Sequence, residues 1–290
     1  MNTAKRSVLG KNANPIKTGL QTSVFSPQEE NAIMKMYYYL LHIQYLGFRY
    51  HGWLKQPGLK TIESMVEKTA KFVLGHSRFK ILGTSRTDSK VSANHSAFEL
   101  FVDEALDMDT LLINFNQNLP NDIKILKIES VDKAFNIIQA PRIKEYLYLF
   151  SHGEKNHPFC APLMHSSKDL LDIELMKQGA LLFKGKHNFV RYCTKPGSKT
   201  TFDREIMVSK IEENTIFKAN FFPKKSYAYH IHARGFLRYQ VRLIMGQLLC
   251  LGRGETSLNN IKESLNGKKT QPLRFIAPSS GLILNKVVFC

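Results

Sequence analysis

Read by periodicity, the chain passes twice through the order strand-helix-strand-strand-helix-strand, and few architectures accommodate that order. Tyr, Leu and Ile from Tyr37 to Tyr45 predict a strand, ended by Gly47. Thr61 can cap a helix whose apolar stripe is Ile62, Met65, Val66, Ala70 and Val73, with Gly75 at its end. Strands Phe79–Gly83 and Ser96–Val102 follow, the second alternating Phe98, Leu100 and Val102, then a helix over Met108–Asn116 and a strand over Ile123–Val131. The second pass has strand Tyr146–Phe150, helix Leu170–Phe183, strands Glu205–Ile211 and Tyr227–Ala233, helix Phe236–Leu251 and strand Leu282–Phe289, with a short helix inserted at Leu258–Leu265. Each pass is a split β-α-β unit, an antiparallel sheet with helices on one face. The expectation is an α+β fold of two ferredoxin-like halves around a basic cleft, leaving the other sheet face open. The expected division is a disordered tail over 1–35, one half over 36–141 and the second over 142–290.

The 41 Lys and Arg residues outnumber 24 Asp and Glu, a net charge of +17. From Lys224 to Cys290 there are eleven basic residues and only Glu255 and Glu263 as acids. Such a balance points to a polyanion. Tyr227, Tyr229, Phe236 and Tyr239 are interleaved with the basic residues, as stacking on exposed bases requires, so nucleic acid is the expected partner. No apolar window is long enough to span a membrane. Cys160, Cys193, Cys250 and Cys290 lack the spacing of a zinc module or a disulfide framework and imply a reducing compartment. Residues 1–35 are polar, with a single Arg, Arg6, and no amphipathic stripe. A plain tail leaves the protein cytoplasmic, whereas a transit peptide would make it mitochondrial.

Asp88 lies in the polar loop Gly83-Thr84-Ser85-Arg86-Thr87-Asp88-Ser89 between two strands. A carboxylate beside a guanidinium is either a turn residue or a nucleophile or base kept ionised. Arg242 is a second cation, four residues after Arg238 on the expected helix Phe236–Leu251, so the two should share a face.

Five ordered motifs extend this reading. Tyr50-His51-Gly52-Trp53 with Gln56-Pro57, then Arg86-Thr87-Asp88, then Lys144-x-Tyr146-x-Tyr148 come first. Phe236-Leu237-x-x-x-Val241-Arg242 with Gly246 and Gly252-x-Gly254, and Ala277-Pro278-x-x-Gly281-Leu282, complete the set. Their order and spacing from Tyr37 to Phe289 resemble the TruA family of tRNA pseudouridine synthases. The resemblance implies isomerisation of uridine to pseudouridine in the tRNA anticodon arm, by a homodimer without cofactor or metal. It implies that Asp88 acts at the ribose while the uracil is detached, turned and reattached through C5. Arg86 would fill the space of the flipped-out nucleotide. Tyr146 would stack on the uracil and take the C5 proton, and Arg242 would pair with Asp88. Trp53, with Gly52, would shape the cleft, and Trp53, Lys144, Arg234 and Arg238 would contact RNA.

The chain also departs from the family pattern. Ser85 replaces the usual Gly before Arg-Thr-Asp, and Ser89-Lys90-Val91-Ser92-Ala93 replaces Ala-Gly-Val-His-Ala. Leu54 stands where a Gln normally follows the Trp, and Ile138 where an Arg is expected. His187 reads as structural, while His230 and His232 share one sheet face without a third metal ligand. The competing reading is a non-catalytic RNA-binding protein or chaperone that uses the same cleft. A metabolic enzyme is disfavoured, because no Gly-rich phosphate loop occurs.

Overall fold

A computed structural model describes residues 35–289, and the expected tail lies outside the described residues except for Lys35. Among the described residues ten strands form one mixed sheet. In the first half they are β1 (Tyr37–Tyr45), β2 (Phe79–Gly83), β3 (Ser92–Val102) and β4 (Ile123–Val131). The others are β5 (Ile143–His152), β6 (His165–Ser167), β7 (Gly185–Asn188), β8 (Asp203–Glu213), β9 (Tyr227–Ala233) and β10 (Leu282–Val288). The sheet order is β4-β1-β3-β10-β5-β9-β8-β7, with β2 beside β3 and β6 beside β5. One edge of β3 is shared: its C-terminal half takes β2, and Ser92 and Ala93 pair in parallel with Ile283 and Leu284 of β10. That short parallel contact continues the sheet from one half into the other.

Within the same residues five α-helices accompany the sheet: α1 (Ile62–Leu74), α2 (Met108–Asn118), α3 (Ile173–Leu181), α4 (Gln240–Gly252) and α5 (Leu258–Ser264). Among the described residues none is long and apolar enough to cross a membrane. The Thr61 hydroxyl accepts from the Ser64 amide while Ser64 Oγ accepts from the Thr61 amide, and Gly75 ends α1 in the left-handed region at φ 73°. Ile62, Val66 and Ala70 of α1 join Leu111 and Phe115 of α2 over Phe98, Leu100 and Val102. In the second half Met176 and Ala180 of α3 and the apolar residues of α4 cover Tyr148, Phe150, Tyr229 and Ile231. Leu282 and Leu284 point to the same side of β10 and enter these two cores in turn, so both helix pairs lie on one face.

The opposite face is only partly bare, because Leu149, Cys160, Met164, Ala228 and Ile283 form one small cluster there and Leu40, Ala97 and Ile137 another. β6 and β7 are strands that periodicity does not predict, since three or four polar residues carry no alternation to read. Tyr227 and Tyr229, expected to stack on bases, are 6% and 0% exposed in the core under α3 and α4. Alternation along β9 reveals that they share a face, but not that helices cover it.

Candidate active site

A cleft of about 760 Å³ opens on the helix-bearing face where the two cores meet, with Tyr146 packed against both. One wall is the loop after β2, the other is the turn before α4.

The loop is held from several sides. Thr84 donates its N–H to Ala97 O at 3.1 Å and its hydroxyl to Ile137 O at 3.2 Å. The Thr87 hydroxyl meets Tyr45 OH at 2.8 Å in a buried pair. Thr87 O accepts the Trp53 N–H at 3.1 Å, and Asp88 O accepts the Val91 N–H at 3.1 Å. Gly52 makes this approach possible: its φ is 84°, and a Cβ there would stand 2.4 Å from Thr87 O. Trp53, expected to contact RNA, is instead 2% exposed, and its indole lies where a Cβ on Gly83 would be, 2.3 Å from Nε1. The ring is too enclosed to reach a ligand. It supports the loop from beneath, packed beside Tyr45 and Phe98.

The opposite wall departs from its expected form. The helix begins at Gln240, because Tyr239 adopts the left-handed conformation at φ 62° and the Gln240 side chain accepts the Leu237 N–H at 2.7 Å. Arg238 therefore lies in the turn and not one helical turn from Arg242 on a shared face. Both guanidinia nevertheless approach the Tyr239 ring, at 5.5 and 5.0 Å from its centroid.

Arg242 is clamped by residues from three distant motifs. A Cβ on Gly246 would meet Phe275 O at 2.3 Å, so the glycine lets the 275–278 segment lie against α4. Ala277 donates its N–H to Arg242 O at 3.1 Å and accepts from Arg242 Nε at 2.8 Å, while Tyr148 OH donates to Pro278 O at 2.8 Å. The remaining end of the guanidinium crosses the cleft, and Nη1 donates to Asp88 Oδ2 at 3.2 Å. Burial raises the Asp88 carboxyl above its ordinary range, opposed by the charges of Arg242 and Arg238.

Tyr146 stands between the walls, with Phe236 edge-on to its ring at 5.3 Å. Burial, Tyr45 and the Asp88 charge all hold its phenol in the neutral form. Lys144 reaches across from β5 and donates to Thr84 O at 2.7 Å, and burial lowers its ammonium to about 8. Arg86 and Arg238 are exposed at the cleft. Thus Asp88, Tyr146, Arg242, Arg86, Lys144 and Arg238 converge, whereas Trp53 is in the core and Arg234 is exposed outside the cleft lining.

The segment 180–289 matches the family model of tRNA pseudouridine synthases. A tRNA pseudouridine synthase A 2 of Clostridium perfringens is 32% identical over 250 residues, spanning 86% of this chain and 98% of that protein. A tRNA pseudouridine synthase A of Mesoplasma florum is 31% identical over 255 residues, spanning 88% and 99%. The chain belongs to the TruA family of tRNA pseudouridine synthases. Another relative, tRNA pseudouridine synthase A of Thermodesulfovibrio yellowstonii, is 29% identical over 253 residues, spanning 85% and 97%.

Four departures from the TruA pattern, Leu54, Ser85, Ser89 and Ile138, line the cleft. His230 and His232 lie on the opposite face with Ala228, His230 being 3.7 Å from Glu212, and His187 bonds locally to Lys184 O. The motifs leave out Tyr45 and Gln240, and include Thr87 and Ala277 without giving either a role. Ala277 acts through its backbone, which side-chain chemistry does not announce.

Proposed function

We propose that this TruA-family chain isomerises uridine to pseudouridine in the anticodon arm of tRNA, with Asp88 as the carboxylate that acts at the ribose. The observation that carries this reading is the Arg242–Asp88 pair at 3.2 Å inside the cleft. Burial favours the protonated form of the Asp88 carboxyl, and the clamped guanidinium opposes this, favouring the anion and aiming it. Asp88 is thereby ready to act where positive character develops at C1′, or on a ribose proton beside it.

The target nucleotide must leave the helical stack to meet Asp88, and Arg86, exposed at the cleft two residues away, would occupy the gap. Tyr146 offers a ring braced by Phe236 on which the uracil can stack. Its phenol is held neutral, so it could accept the C5 proton only by passing its own proton on; stacking is the role its surroundings support. Lys144 and Arg238 would add positive charge for backbone phosphates at the cleft, and Arg234 for RNA running past it.

Each half is proposed to be ferredoxin-like, over 36–141 and 142–290. Supporting this, β4-β1-β3-β2 and β10-β5-β9-β8 place equivalent strands in the same order. The homodimer rests on the resemblance alone. A cytoplasmic setting suits a tRNA substrate and free thiols such as Cys160 and Cys193.

The test is chemical mapping of pseudouridine in tRNA from cells that carry the wild-type chain, Asp88→Asn, or no protein. Asp88→Asn keeps the shape and removes the charge, so its pattern should match that of cells without the protein. Wild-type pseudouridine levels with the Asn variant would remove Asp88 from the chemistry.

A further inference from the structure

Four hydroxyls lie between Thr84 and Ser89, and three of them are committed: Thr84 to Ile137 O, Thr87 to Tyr45 OH and Ser89 to Tyr50 O. The fourth is different. Ser85 is 9% exposed, and its Oγ is enclosed without a hydrogen-bond partner although the residue lines the cleft. The Tyr146 phenol is close enough for the hydroxyl to favour its ionised form as a donor would, but not in the geometry of a formed hydrogen bond, so the donor is still open to a ligand. Gln240 Nε2 is another enclosed, unpaired donor among the cleft-lining residues, but the other end of that amide already caps the Leu237 N–H. Folded proteins rarely leave an enclosed hydroxyl unpaired, and a ligand that supplies an acceptor recovers the lost hydrogen bond.

The acceptor has to belong to whatever rests against Tyr146, which on the function proposed above is the flipped uracil. Uracil carries two exocyclic carbonyl oxygens, O2 beside N1 and O4 beside C5. Turning the detached ring about the line through N3 and C6 brings C5 to the place of N1 and, in the same motion, O4 to the place of O2. A donor fixed beside the glycosidic position therefore meets a carbonyl oxygen both before and after the ring turns. A protein group that had to follow the ring would have to move, whereas a fixed hydroxyl does not.

We propose that Ser85 Oγ donates to an exocyclic carbonyl oxygen of the target uracil, and that this one hydroxyl serves the ring in both of its orientations. Ser85 is then a substrate-binding residue, distinct in role from the carboxylate and guanidinium opposite it. The inference rests on the uridine-isomerising reading.

The test combines Ser85→Ala and Ser85→Gly with tRNA transcripts carrying uridine, 2-thiouridine or 4-thiouridine at the modified position, sulfur being a weak acceptor. Single-turnover rate and tRNA affinity are measured for each pair. The variants should isomerise uridine about tenfold more slowly with little change in affinity, the effect of one lost hydrogen bond. Wild type should be slowed by sulfur at one or both positions, and that slowing should shrink towards onefold in the variants, because protein and substrate changes remove the same bond. Wild-type rates in both variants overturn the proposal. So does a sulfur effect equally large with and without the hydroxyl, which would mean that Ser85 acts through Tyr146 or the loop. A wild-type chain that forms no pseudouridine in any tRNA overturns the functional reading and this inference with it.

Discussion

Arg242 reaches Asp88 with a single nitrogen, Nη1 at 3.2 Å from Oδ2, while its Nε is occupied by the carbonyl of Ala277 at 2.8 Å. The guanidinium is thus fixed at one end by backbone and used at the other. A flexible cation would lose much of its advantage to side-chain entropy on pairing, and this one is already ordered.

Removing Arg242 leaves burial of Asp88 opposed mainly by Arg238, so the already raised carboxyl pKa rises further. An acid with a higher pKa is protonated over a wider range, so Arg242→Ala should move the acid limb of the rate profile to higher pH. It should also lower the single-turnover rate at neutral pH by roughly a hundredfold or more. Arg242→Lys keeps the charge but not the Ala277 contact and should fall between. Arg238→Ala, from an exposed turn position, should mainly weaken tRNA binding and recover at high tRNA concentration. Identical loss of affinity alone in both Ala variants would make Arg242 one more RNA contact.

Lys144 carries its charge at a cost, since burial brings it from 10.5 to about 8. Between those values the unfolded chain holds the proton and the folded chain has released it, so the Lys144 contribution to stability rises with pH across that window. Denaturant unfolding at pH 7 to 10 should show this rise in wild type relative to Lys144→Met. The wild-type excess in tRNA affinity over the same variant should decline as pH passes 8. A stability difference that stays constant with pH would show that Lys144 is not titrating there.

Gly52 and Gly58 have similar backbone, φ 84° and 71°, yet only Gly52 faces a neighbour, Thr87 O at 2.4 Å from a built Cβ. Gly58→Ala should therefore cost about 1 kcal/mol of conformational strain and leave the rate unchanged. Gly52→Ala adds a collision with the loop that carries Asp88, and should cost about 2–3 kcal/mol and most of the activity. Thermal melts and single-turnover assays on the pair separate strain from displacement.

The eleven basic residues between Lys224 and Cys290 predict steep salt dependence of tRNA binding. Each phosphate contact contributes about 0.7–0.9 to the log–log slope. Arg238→Ala and Arg234→Ala should each reduce the slope by about that amount, whereas Asp88→Asn should not. A slope near zero in the wild type would contradict RNA tracking along this surface.

The elements that the sequence alone specifies are those held by local physics. The Thr61 cap, the Ile62–Val66–Ala70 stripe, the Gly75 stop and the Phe98–Leu100–Val102 alternation are short-range patterns, and each appears in the structure where its residues predict it. The ordered motifs likewise single out Asp88, Tyr146 and Arg242, because chemistry-bearing side chains keep their spacing in the chain. Tertiary structure decided what such patterns do not encode. Tyr227 and Tyr229 alternate as surface aromatics would, yet α3 and α4 cover their face; Trp53 supports the loop that carries Asp88 from within the core. Tyr239 has a side chain that disfavours φ > 0, and its turn moves Arg238 off the helix on which spacing had placed it. The clamp on Arg242 is made by a carbonyl 35 residues away, and the isolation of the Ser85 hydroxyl is visible only once the hydroxyls around it have found partners. Periodicity reports which residues share a face. Which faces become covered, and which polar atoms remain unpaired, depends on contacts between segments far apart in the chain.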